Sequence, residues 1–190
     1  MLIKRILSFV ISLFIWIAIS GQDKMKTGII YGSDIAFVLT APEGWILDNT
    51  SAVNQGFFAV FYREGEAWKD AETVMYANIA SYQNTPDTTL DLLISYDIGN
   101  FKNRYPDIDI TDTQDIKIRA NLNAKVKYLS GKSYGNYEAM AYIDETKAGV
   151  IIVLSSRTKE GFDKSLIAFE NLVKSYMLIS NHVKIEVKDK

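Results

Sequence analysis

The most informative run of potentially reactive side chains in this sequence is KIRANLNAKVKY, Lys117 to Tyr128, with four cations in twelve residues. If its halves form a hairpin over Asn121, Leu122 and Asn123, pairing is symmetric about Leu122, with Lys117 opposite Lys127 and Arg119 opposite Lys125. Strand alternation then puts Ile118, Ala120, Ala124 and Val126 on the other, apolar face. Like charges directly opposite each other cost roughly 0.2–1 kcal/mol per pair, so four cations on one face call for open water or an anionic partner. Two readings follow: an edge hairpin whose lysines discourage sheet-to-sheet association, or a docking patch for an acidic surface, a phosphorylated ligand or an anionic lipid. Trp68, between charges in REGEAWKDAET, is a second contact candidate, or else a ring folded back over a sheet edge.

Other chemistries find little material. Asp107, Asp109, Asp112 and Asp115 form the one dense acid cluster, but a calcium loop starting at Asp107 would need Gly and Glu where Asp112 and Ile118 stand. A weak cation site or a solvated linker both fit. SGKS at Ser130 to Ser133 echoes a phosphate loop, yet the leading glycine would fall at Val126 inside a strand, so it reads as a turn. His182, the one histidine, lies near the C-terminus, which leaves no basis for a Ser-His-Asp triad or a His-based metal site. There is no cysteine, which excludes disulfides, a thiolate metal site, a Cys nucleophile and a lipid-modified cysteine. No catalytic residue, cofactor or metal ligand is assigned. A pair of carboxylates for hydrolysis remains open, because only separation in space identifies one.

The elements that position these residues begin after a leader. Lys4 and Arg5 precede an apolar run from Ile6 to Ile19, with Ala18 and Ser20 at the −3 and −1 positions. This is the pattern of a secretory signal over residues 1–20, cleaved after Ser20 or Gly21, with an uncleaved anchor as the alternative. Loss of Lys4 and Arg5 lowers 21 cations to 19 against 23 acids, a net charge of −4. An acidic chain argues against nucleic acid as the partner. The expectation is an exported, soluble protein, periplasmic or extracellular, with no membrane span after cleavage and an undetermined oligomeric state.

Residues 21–180 read as a single domain and 181–190 as a charged tail, either loosely held or forming a short added strand. Alternating or β-rich runs span Gly28 to Tyr31, Ile35 to Thr40, Phe57 to Arg63, Thr73 to Tyr82, Ile116 to Ala120, Ala124 to Leu129, Tyr137 to Ile143 and Val150 to Ser155. Val150 to Leu154, VIIVL, is apolar throughout, as a central strand covered on both faces should be. Helical spacing appears twice, in a stripe from Leu90 to Tyr105 opened by Thr88 and closed by Pro106, and in one from Phe162 to Tyr176 capped by Thr158. After Ile35 to Thr40, Pro42 and Gly44 stop the chain and Trp45 re-enters as a core anchor.

A strand ending in P-x-G-W, Pro42 to Trp45, then antiparallel strands, a mid-chain helix, a meander, the VIIVL strand and the closing helix FDKSLIAFENLVKSY together resemble the PsbP-like superfamily over Ile35 to Tyr176. The resemblance implies an α+β fold, a central antiparallel sheet covered by helices on both faces. Its known members, including DcrB-like envelope proteins, are mostly accessory or binding proteins. No binding residue carries over, since the matching positions are structural. The function expected is therefore a non-enzymatic accessory or binding protein of the cell envelope that docks a protein partner or an anionic ligand. The alternative is a carboxylate-dependent envelope hydrolase.

Overall fold

The computed structural model describes residues 26–32, 34–57, 59–82 and 87–183. The expected leader, 1–20, and the end of the tail, 184–190, lie outside them. Among the described residues the chain is mostly β, with two α-helices, a short 3-10 helix at Val53–Gln55 and two antiparallel sheets. A three-stranded sheet has the order β1 (Thr27–Tyr31), β2 (Ala36–Thr40), β11 (Met177–Ser180). An eight-stranded sheet runs from β3 (Trp45–Asp48) through β4 (Val60–Arg63), β5 (Thr73–Ser81), β10 (Ala148–Ser156) and β9 (Tyr137–Glu145) to β8 (Leu122–Ser130). Beyond β8, its C-terminal half pairs with β6 (Asp109–Asp112) and its start with β7 (Ile116–Arg119). The division into two sheets, and strands β3, β6 and β11, go beyond the sequence expectation. Each of these strands has four residues, too few for alternation to stand out.

The VIIVL strand is where its composition requires: β10 lies between β5 and β9, and Val150 to Leu154 are all buried. Its side chains divide by parity. Val150, Ile152 and Leu154 join one core with Phe162, Phe169, Leu172 and Val173 of α2 (Lys159–Lys174). Ile151 and Val153 join another with Leu90 and Ile94 of α1 (Leu90–Arg104). The first core also takes in Ile30, Phe37 and Leu39, so the small sheet packs into it. Both helices are capped by threonine: Thr158 accepts from the Gly161 N–H at 3.0 Å, and Thr89, one residue beyond the expected Thr88, accepts from the Leu92 N–H at 3.3 Å.

The Pro42–Trp45 turn behaves as its residues dictate. Gly44 has a φ of +74°, which glycine adopts without a Cβ penalty. The Trp45 N–H bonds the Pro42 carbonyl at 3.1 Å, and the Trp45 ring is buried in the main core. At the far end of β3, Asp48 accepts from the Thr50 and Ser51 N–H groups at 2.8 and 2.9 Å and from the Tyr62 hydroxyl at 2.6 Å. Burial opposes its charge, but these donors and the Ser51 hydroxyl hold the carboxyl well below the usual carboxylate range. Burial and Asp48 push the Tyr62 phenol up to about 12.

A carboxyl whose folded pKa is depressed stabilises the fold above its unfolded value, near 4, and that contribution disappears as pH falls toward the folded value. Asp48→Asn should cost about 1–3 kcal/mol at pH 7. The gap between variant and wild type should close as urea unfolding is repeated from pH 5 down to pH 2.

Candidate binding cleft

The first turns of α1 pack on the sheet through Leu90, Leu93 and Ile94. Farther along, the helix and the sheet diverge around a cleft of about 460 Å³. Its floor is Tyr76 and Asn78 of β5, Ile151 and Val153 of β10, and Met140 of β9. Phe101, Tyr105 and Tyr134 form a wall of mutually edge-on rings. Tyr134 lies 5.8 Å from Phe101 at 83° and 5.0 Å from Tyr105 at 67°, centroid to centroid. Such edge-to-face pairs are favoured by the ring quadrupoles and fix the rings in place.

Two carboxyls line this cleft, Glu138 from β9 and Asp97 from α1. Glu138 is only 5% exposed. Burial pushes its carboxyl above the usual range, while hydrogen bonds with the Tyr134 and Ser155 hydroxyls pull the other way. Asp97 is also pushed up by burial, opposed by its hydrogen bond with Tyr142. Burial raises the phenols of Tyr76, Tyr134 and Tyr142 in turn, with the neighbouring carboxylates adding to the effect. Arg104 stands at the rim, its guanidinium 5.6 Å from the Tyr105 ring centroid.

The basic run takes a different register from the one its symmetry suggests. Ile116 pairs with Ala124, Lys117 with Asn123 and Arg119 with Leu122, so the chain turns at Ala120 and Asn121. Lys127 instead lies opposite Asp112 of β6 on one side and Met140 of β9 on the other. A tight turn combined with an irregularity between Lys117 and Arg119 replaces the three-residue loop. Lys125 and Lys127 keep to one face of β8, while each cation of the run meets a different group. Lys125 bonds Asp91 at the start of α1 at 2.5 Å, Lys127 bonds Asp112, and Arg119 lies 3.7 Å from Glu145, which also accepts from the Tyr176 hydroxyl. Lys117 lines a separate groove of about 520 Å³ between the β6–β7 connection and α2, together with Asp115, Glu170 and Lys174. Trp68 is half-buried against Phe57, 5.9 Å between centroids, over the β4–β5 end of the sheet, so it shares no surface with the cations at β7 and β8.

Two members of the acid cluster are engaged by the fold itself. Asp107 receives the Ser133 N–H at 3.1 Å and the Ser133 hydroxyl, tying down the SGKS turn; these bonds hold its carboxyl below the usual range. Asp112 is paired with Lys127. Among the described residues no group of three or more His, Cys, Asp or Glu side chains is placed to hold a metal ion. His182 meets the Lys147 amine, Nδ1 to Nζ 3.0 Å. Among the described residues no helix is long and apolar enough to cross a membrane.

Sequence reasoning missed the cleft. Its one signal was Glu138: in YEAMAYID the alternation sets Glu138, Met140 and Tyr142 on one face of a strand that is otherwise apolar to Ile143. A carboxyl there must be buried and partnered.

No family model matches the chain, and no curated protein matches it. Among solved structures it is similar to cyanobacterial PsbP (CyanoP) from Synechocystis, with a TM-score of 0.51 and 11% identity over 83% of this chain and 96% of that one. It is also similar to the Ran-binding protein Mog1p of Saccharomyces cerevisiae, TM-score 0.49, 12% identity, over 82% and 95%. A third similar structure is LpqN, involved in cell envelope biogenesis of Mycobacterium tuberculosis, TM-score 0.49, 11% identity, over 80% and 90%. The fold is PsbP-like.

Proposed function

We propose that this chain is an exported, non-enzymatic accessory protein of the cell envelope, and that it binds a partner or ligand in the cleft beneath α1 without transforming it. The observation that carries the reading is the geometry of the cleft, in which Phe101 and Tyr105 stand edge-on to Tyr134 around an open concavity that holds two carboxyls. A hydrolytic pair works when the environments of its acids push their pKa values apart, one kept protonated and the other ionised. Here burial raises both, and each is held by its own tyrosine. Rigid rings around an open concavity with a few polar groups suit recognition. In the same reading α1 and α2 cover opposite faces of the large sheet, as the parity of the β10 side chains supports.

Immobilised protein exposed to an envelope extract should retain a component of unchanged mass, and Tyr134→Ala should release it. Appearance of a cleavage product that needs both Asp97 and Glu138 would establish the hydrolase instead.

Docking of an anionic ligand on Lys117, Arg119, Lys125 and Lys127 is a separable part of this proposal. The Lys125–Asp91 pair is exposed, and such pairs are worth about 0–1 kcal/mol, so an incoming anion can exchange for Asp91; the Lys127 side chain, paired with Asp112, is only 16% exposed. Glu145 is different, being 8% exposed, so Arg119 is the costly one to remove. Changing Lys117 and Lys125 to Gln should leave stability within about 1 kcal/mol and reduce retention on anionic liposomes at low salt. Retention equal to that of wild type would leave these lysines as an edge-strand device.

A further inference from the structure

We infer that the cleft beneath α1 is shaped for a small organic cation, a primary or quaternary ammonium carried on a few carbons, held over tyrosine and phenylalanine rings with Glu138 and Asp97 as counter-charges. This rests on the binding reading above and names its ligand class. Three features converge on it. Tyr76, Phe101, Tyr105 and Tyr134 are half-buried and all four line the cleft. Aromatic faces carry the negative end of the ring quadrupole and attract a cation within about 6 Å of the centroid. One ring already does so, since the guanidinium of Arg104 sits 5.6 Å from that of Tyr105.

The charge balance points the same way. The charged groups facing the cleft are Asp97 and Arg104 from α1 and Glu138 from β9, two carboxyls to one guanidinium. The other titratable groups there are phenols, Tyr76 from β5, Tyr105 after α1 and Tyr134 before β9, with Tyr142 of β9 reached through Asp97. Burial favours the neutral form of Glu138, and an ammonium beside it favours the carboxylate. An ammonium seated there therefore offsets part of what burial costs the Glu138 carboxylate. A volume of about 460 Å³ lies within the range of small-molecule sites.

The test is calorimetric titration of the purified protein with choline, benzyltrimethylammonium and putrescine, and with 3,3-dimethylbutan-1-ol, the uncharged carbon isostere of choline. At least one of the cations should bind saturably, and choline should bind at least tenfold more tightly than its isostere. Glu138→Gln should weaken choline binding tenfold or more while the circular dichroism spectrum is unchanged. If that variant does not fold, Phe101→Leu provides the second check, weakening choline and leaving the isostere unaffected. Equal affinity for choline and its isostere, or no binding of any of the three cations by folded protein, overturns the inference. An envelope component retained through Tyr134 but indifferent to choline would overturn it while leaving the binding reading intact.

Discussion

Trp45→Ala should lower the free energy of unfolding by about 3–5 kcal/mol, the range for truncating a large aromatic in a packed core. Trp45 is 1% exposed, starts β3 directly after the Gly44 turn and lies opposite Arg63 of β4. The Arg63 guanidinium sits 5.2 Å from the ring centroid and also donates to the buried Ser165 of α2 at 3.1 Å. Removing the indole thus opens a cavity and frees the arginine that ties β4 to α2. Urea unfolding followed by circular dichroism reads the loss. The cleft is lined by other elements, so variant protein kept folded at low temperature should bind as wild type does. A variant of undiminished stability that no longer bound would make Trp45 a contact residue.

Tyr134→Ala should cost about 2–6 kcal/mol and abolish retention by the cleft. The stability loss combines two edge-to-face pairs, each worth about 0.5–1.5 kcal/mol, with a buried Glu138 carboxyl deprived of one donor, about 1–3 kcal/mol. Tyr134→Phe separates the two. It keeps the pairs with Phe101 and Tyr105 and removes only the hydroxyl bonded to Glu138. Glu138 should then titrate higher still, because the bond that opposes desolvation is gone. Carboxyl chemical shifts followed through a pH titration would register that rise. An unmoved Glu138 would show that its hydrogen bond to Tyr134 contributes nothing to its ionisation.

The scaffold was far more legible in the sequence than the site. VIIVL declared a central strand because an unbroken apolar run has no solvent side to spare, and β10 is such a strand. Pro42 and Gly44 announced a turn through backbone chemistry that no tertiary contact needs to supply. The basic hairpin shows the limit. Its symmetric pairing was a valid register, but the partners that decide among registers, Asp112 on β6 and Met140 on β9, are remote in sequence from the loop. Asp91, Asp112 and Glu145 came to the cations by the same long-range route. The cleft was hidden for a related reason. Asp97, Tyr134 and Glu138 come from a helix, a turn and a strand, and nothing in their local spacing marks them as neighbours.

The open side of α1 is the binding site of this reading, and α2 and the three-stranded sheet are scaffold. Hydrogen–deuterium exchange of the protein, with and without an envelope extract from its own source, tests this most directly. Residues 97–105 and 134–140 should gain protection in the presence of the extract, while 159–174 on α2 should be unchanged. Protection confined to α2 or to the three-stranded sheet, with exchange at 97–105 and 134–140 unaltered, would contradict the account.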